Sequence, residues 1–140
     1  MLLADRRASP HLRAAERAPR PAGGVAVAAA RGVSCDDTCA RHAKGGGGGA
    51  LRCRDAWLPF VNDCGALRSA FACEAGCGHQ VGPELPAYAA SPSLDTHRQC
   101  LISDIAISKC EAKYGKTSRL CRCVFESAAV HVHHKRRSRA

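Results

Sequence analysis

Although the sequence has ten cysteines, none is paired in the C-x2-C spacing. That spacing forms the active centre of thioredoxin-like oxidoreductases, so this class is excluded. It also forms the usual knuckles of structural zinc sites. A zinc site here would have to use the looser pairs Cys35/Cys39, Cys73/Cys77 or Cys121/Cys123, and it stands only as an alternative. Five consecutive glycines occupy residues 45–49, but no Lys-Ser or Lys-Thr follows them, which removes a phosphate-binding loop. Nowhere do about 18 apolar residues run together, so no membrane span is expected. Asn62, the only asparagine, lacks a Ser or Thr two residues on, leaving just the weak Asn62-Asp63-Cys64 variant of a glycosylation acceptor.

Large apolar side chains are also scarce. Leu51, Trp57, Leu58, Phe60, Val61, Leu67, Phe71, Val81, Leu101, Ile102, Ile105, Ile107 and Leu120 are most of those between the first and last cysteine. A core this thin needs covalent support. The candidate staples are Cys35, Cys39, Cys53, Cys64, Cys73, Cys77, Cys100, Cys110, Cys121 and Cys123, an even set confined to one stretch. In small secreted domains a native disulfide contributes about 2–5 kcal/mol, so such bonds would dominate stability. The pattern reads as a disulfide framework in an oxidising compartment, the secretory lumen or the extracellular space. The spacing alone does not settle the pairing, except that Cys121 and Cys123 are too close to pair with each other.

The cysteines delimit a domain at 34–124, flanked by an Ala/Arg-rich tail at 1–33 and a basic tail at 125–140. Of the formal charge of +9, the two flanks carry +4 and +3 and the middle only +2. Arg-rich ends attract anions through screened, long-range fields but define no specific nucleic-acid fold. No aromatic residue is interleaved with them for base stacking. Both tails are expected to be disordered. Within the first, residues 22–30 (AGGVAVAAA) also suit a weak secretory signal, and the Arg-rich remainder suits a transit peptide. His131, His133 and His134 lie in the basic tail and read as solvated rather than as ligands.

The fold expected is a small disulfide-rich domain, mainly α, with short extended segments and long irregular loops. Ser34, with Asp37 three places later, opens a helix ending near Lys44, and a spacing of four sets Cys35 and Cys39 on one face of it. Both thiols then point at the same neighbouring element, which suits two separate bridges. A second helix is expected over 59–70, with Pro59 in its first turn and Phe60, Val61, Cys64, Leu67 and Phe71 forming an apolar stripe. Residues 73–78 read as a turn, 82–88 as an irregular proline-punctuated loop and 91–99 as an exposed linker. A short extended segment starts at Cys100, and a disulfide-rich turn runs through Cys110 and Tyr114 to Cys123.

No catalytic, cofactor-binding or metal-binding residue can be named. Asp36, Asp37, Asp55, Asp63, Glu74, Glu84, Asp95, Asp104 and Glu111 are scattered over helix starts and loops, without the paired carboxylates of a glycosidase. No nucleophile, base and orienting group can be assembled for acyl transfer.

One resemblance is more specific. The run Ser34-Cys35-x3-Cys39, Cys53, Leu58-Pro59-Phe60-Val61-Asn62-x-Cys64-x2-Leu67-x3-Phe71-x-Cys73-x3-Cys77 is followed by Gly82-Pro83-Glu84-x-Pro86-Ala87-Tyr88, Cys100-Leu101, Cys110 and Arg119-Leu120-Cys121-x-Cys123. It resembles the cysteine-rich C-terminal module of the alpha-1,6-mannosyl-glycoprotein 6-beta-N-acetylglucosaminyltransferase family (N-acetylglucosaminyltransferase V). The chain departs from that pattern in its pentaglycine insertion and in Arg122, where the family tends to have proline. The resemblance implies a Golgi setting and a part in protein N-glycosylation. It carries over no catalytic or donor-binding residue, because the two α/β lobes of such a transferase have no counterpart here. The expected role is an accessory, non-catalytic module in contact with glycoproteins or glycans. Alternatives are a secreted glycan- or protein-binding module displaying residues 82–88, and an intracellular zinc-binding protein.

Overall fold

The computed structural model describes residues 24–46 and 51–125. The expectations for residues 1–23, for most of the glycine loop and for the basic tail with its histidines lie outside the described residues.

The expectation of a mainly α domain is overturned. The elements are β1 (Val25–Ala28), α1 (Cys35–Gly46), β2 (Leu51–Arg52), a 3-10 segment (Asp55–Val61), α2 (Cys64–Ala70), β3 (Cys77–Gln80), β4 (Ala87–Ala89), β5 (Cys100–Ser103) and β6 (Thr117–Phe125). The strands form one six-stranded sheet in the order β1-β6-β4-β5-β3, with β2 also paired to β6. Every pairing is antiparallel except β3 with β5.

β6 is the hub of this sheet. Residues 117–119 pair with β4, 120–123 with β1, and 124–125 with β2. The sequence reading ran a disulfide-rich turn through Cys110 and Tyr114 to Cys123, across most of this strand. Strand alternation explains it better: Cys121 and Cys123 project to one face, and Leu120 and Val124 to the other. Both faces are covered, so all of β6 is buried except Arg122 and Phe125. The strand β1 is a second correction. Residues 24–33 were expected to belong to a disordered or targeting segment, yet Val25–Ala28 pairs with β6 and the Ala29 N–H donates to the Arg119 carbonyl at 2.8 Å.

α1 forms as its cap predicts. The Ser34 hydroxyl accepts the Asp37 N–H at 3.1 Å, and Asp36 and Asp37 sit in the first turn, where the helix dipole favours anions. Four helical residues rise about 6 Å and two strand residues about 6.7 Å, so a Cys-x3-Cys helix face matches a Cys-x-Cys strand face. Cys35 joins Cys121 and Cys39 joins Cys123, each with Cα atoms 5.4 Å apart. The paired bridges expected from the spacing are thus present. With Ala29, Leu51, Leu58 and Cys110 they form one core cluster.

The helix expected over 59–70 is two elements. Pro59 lies inside the 3-10 segment, and α2 starts afresh at Asp63, whose carboxylate accepts the Gly65 and Ala66 N–H groups at 3.3 and 3.0 Å. Asn62, in the break, uses its side-chain amide as an extra strand partner. Its Nδ2 donates to the Ser103 carbonyl at 2.9 Å, and its Oδ1 accepts the Ser103 N–H at 2.7 Å. Val61, Leu67, Cys73, Cys100 and Leu120 form a second cluster beneath this pair of helices, and Leu85, Ala87, Ala89 and Leu101 a third. Three further bridges, Cys53–Cys110, Cys64–Cys77 and Cys73–Cys100, tie the loops down.

Candidate functional site

Alternation along β4 and β5 gives the end of the sheet two different faces. Tyr88, Cys100 and Ile102 face the second cluster, where Tyr88 stacks on Phe71 with ring centroids 5.4 Å apart. Ala87, Ala89 and Leu101 face the opposite way, and two alanines leave that surface low. A groove of about 260 Å³ lies over this low surface. Its floor is Leu85, Leu94 and Leu101. Around it stand Gln80 at the end of β3, Glu84 in the 82–88 loop, Asp95 and Thr96, Tyr114, and Thr117 at the start of β6.

Several local features position this rim. Gly82 is buried, and a Cβ there would collide with the Glu84 carboxylate, so glycine lets that carboxylate fold back over the loop. Behind the loop lies Arg119, fully buried on β6. Its Nη1 donates to the carbonyls of Lys109 and Ala112 at 2.6 and 2.7 Å, and its Nη2 to Pro83 at 3.4 Å. The Pro83 carbonyl also accepts the Lys109 N–H at 2.9 Å. One guanidinium therefore locks the Glu84 loop, the turn leading to Tyr114 and β6 together. Burial pushes its pKa down to about 10, opposed by the negative charges of Glu84, Asp36 and Asp55, and it remains a cation at neutral pH.

The scattered acidic residues have distinct uses. Asp63 caps α2, Asp55 accepts the Cys110 N–H at 2.8 Å, and Glu74 accepts the Tyr88 hydroxyl at 2.6 Å. Partial desolvation raises the Asp36 carboxyl above its ordinary value, with Asp55, Glu111 and Asp37 reinforcing the shift. Glu84 and Asp95, scattered over loops in the sequence, share the groove. The 91–99 segment, read as a linker, supplies Leu94, Asp95 and Thr96, and its fold rests on backbone bonds such as Leu94 N–H to the Ser91 carbonyl at 3.2 Å. No sequence signal marked it.

Two other places hold reactive types. Asp36 lies near the sulfurs of Cys53 and Cys110, but those sulfurs are bonded to each other. All ten cysteines are in disulfides, so no thiolate remains for zinc. His79 Nδ1 lies 2.8 Å from Asp104 Oδ1, a base with its orienting carboxylate. Among the described residues no serine or threonine hydroxyl meets the other ring nitrogen, so the nucleophile of a triad is missing. A larger depression of about 440 Å³ between β1 and α1, lined by Val27, Val33, Thr38, Arg41 and His42, is mostly apolar.

No helix among the described residues is long and apolar enough to cross a membrane. Five disulfides place the folded chain in an oxidising, secreted or extracellular environment. Neither a family model nor a curated protein matches the chain.

Proposed function

We propose that this chain is a non-catalytic, disulfide-stabilised accessory module of the Golgi lumen, akin to the cysteine-rich end of an N-glycan-branching N-acetylglucosaminyltransferase, and that it works by contacting glycoproteins. The observation that carries this reading is the ordered cysteine pattern, from Cys35-x3-Cys39 to Cys121-x-Cys123. Those terminal motifs bridge α1 to β6, so the residues that carry the resemblance also build the domain.

A module of this kind needs a rigid frame and a recognition surface rather than a reacting group. The frame is covalent, and the loop containing Glu84 sits at the rim of the groove. The same geometry serves a free-standing secreted glycan-binding protein, which differs only in whether a transferase accompanies it.

The test is binding of the full chain to an immobilised N-glycoprotein before and after enzymatic removal of its N-glycans. Binding that disappears with the glycans is the expected result. Equal binding to both forms, or none to either, overturns the glycoprotein reading.

A further inference from the structure

We propose that the groove over Leu85, Leu94 and Leu101 is a saccharide subsite that holds one uncharged sugar residue, with Glu84 and Asp95 accepting its hydroxyl protons. The inference rests on the glycoprotein-contact reading and deepens it by naming the site and the ligand chemistry.

The lining restricts the ligand by exclusion. No lysine, arginine or histidine lines the groove, whereas Glu84 and Asp95 do, so phosphate, sulfate and carboxylate ligands would meet repulsion without a partner. Ionised carboxylates are acceptors only, with room for several donors each, and therefore want a ligand rich in O–H groups. Gln80, Thr96 and Thr117 add groups that both donate and accept. Tyr114, 40 % exposed, offers a flat apolar face beside them. A hydroxylated ring with one apolar face meets all three demands. The size fits as well, since about 260 Å³ falls just under the ~300 Å³ at which drug-sized sites begin, enough for one ring but not for a chain buried end to end.

The second support is preorganisation. Side-chain hydrogen bonds of Gln80, Asp95 and Thr96 are unused among the described residues, while the backbone next to Glu84 and on the way to Tyr114 is held by the buried Arg119. A rim with open polar groups on a rigid support is how a protein limits the ordering cost of a small ligand.

The experiment is a titration of the 15N-labelled full chain with the methyl glycosides of mannose, galactose and N-acetylglucosamine, followed by amide shifts. At least one glycoside should shift the amides of Gln80, Glu84, Asp95 and Tyr114 with a Kd on the order of 1 mM, typical of so small a ligand. Glu84→Gln and Asp95→Asn, at solvent-accessible positions, should each weaken binding roughly tenfold, the loss of one charge-assisted hydrogen bond. Gly82→Ala should weaken it too, because the added methyl displaces the Glu84 carboxylate while leaving amides far from the loop unshifted. No response at the groove to any of the three glycosides overturns the proposal, and so does a groove response to spermidine in their place. If an N-glycoprotein binds but its shifts lie elsewhere, the subsite falls and the glycoprotein reading stands.

Discussion

Arg119 shows how much a single residue holds in this small protein. A fully buried arginine is rare unless most of its donors are satisfied, and here three backbone carbonyls from two loops accept from Nη1 and Nη2, while Nε is buried without a partner. Arg119→Met keeps most of the volume but leaves the Ala112 carbonyl without a donor, whereas the Lys109 carbonyl keeps the Ala112 N–H at 3.2 Å. The expected cost is about 1–3 kcal/mol, that of one acceptor left unpaired. Thermal unfolding under non-reducing conditions measures it, and an unchanged midpoint would show that water or a backbone shift replaces the guanidinium. At the surface, the Tyr88 hydroxyl holds the Glu74 carboxyl below its ordinary value of 4.5, and Glu74 in turn raises the Tyr88 hydroxyl. A depressed carboxyl stabilises the fold above its unfolded-state value and loses that contribution as pH falls through the folded-state value. Tyr88→Phe should therefore move the Glu74 midpoint back up. A carbon-detected NMR titration of Glu74 reads the shift directly.

At the scale of elements, β1 has the most to lose from misreading. It covers one edge of β6 and contributes Ala29 and part of Val27 to the cluster around the first two disulfides. Removing residues 1–30, as cleavage at an Ala-rich signal would, exposes that edge. The shortened chain should unfold at lower temperature and self-associate, because an uncovered strand edge templates pairing. Thermal scans with light scattering test this, and identical behaviour of the two chains would mean β1 is dispensable. The reasons for misreading this strand are physical. Val-Ala-Val-Ala has neither the charge alternation of a half-exposed strand nor the bulk of a core strand, and its place is set by the distant β6. Helix α1, by contrast, was legible because its cap, its first-turn charges and its cysteine spacing all act within twelve residues. The 59–70 stripe was half legible: Leu67 and Val61 are indeed core, but Asp63 caps a new helix and Asn62 is claimed by Ser103, 41 residues away. The groove was the least legible feature. Glu84 and Asp95 meet only because the sheet brings two loops together, and periodicity cannot report that.

Among the described residues five bonds close overlapping loops, 35–121 crossing 39–123 and 64–77 crossing 73–100, and the loops differ greatly in size. Cys35–Cys121 spans 86 residues and Cys64–Cys77 only 13. On loop-closure entropy alone these are worth about 4.6 and about 3 kcal/mol. Access points the same way, because Cys35, Cys39, Cys121 and Cys123 are completely buried, whereas Cys64 and Cys77 are each partly exposed. An attacking thiolate must reach a sulfur in line, so exposure governs the rate as loop size governs the cost. Mild reductant should therefore open Cys64–Cys77 first, freeing the start of α2 from β3 while the α1–β6 bridges persist. Differential alkylation with peptide mass mapping follows the order. If Cys35–Cys121 or Cys39–Cys123 is reduced before Cys64–Cys77, the α1–β6 core opens more readily than its burial implies, and stability does not centre on β6.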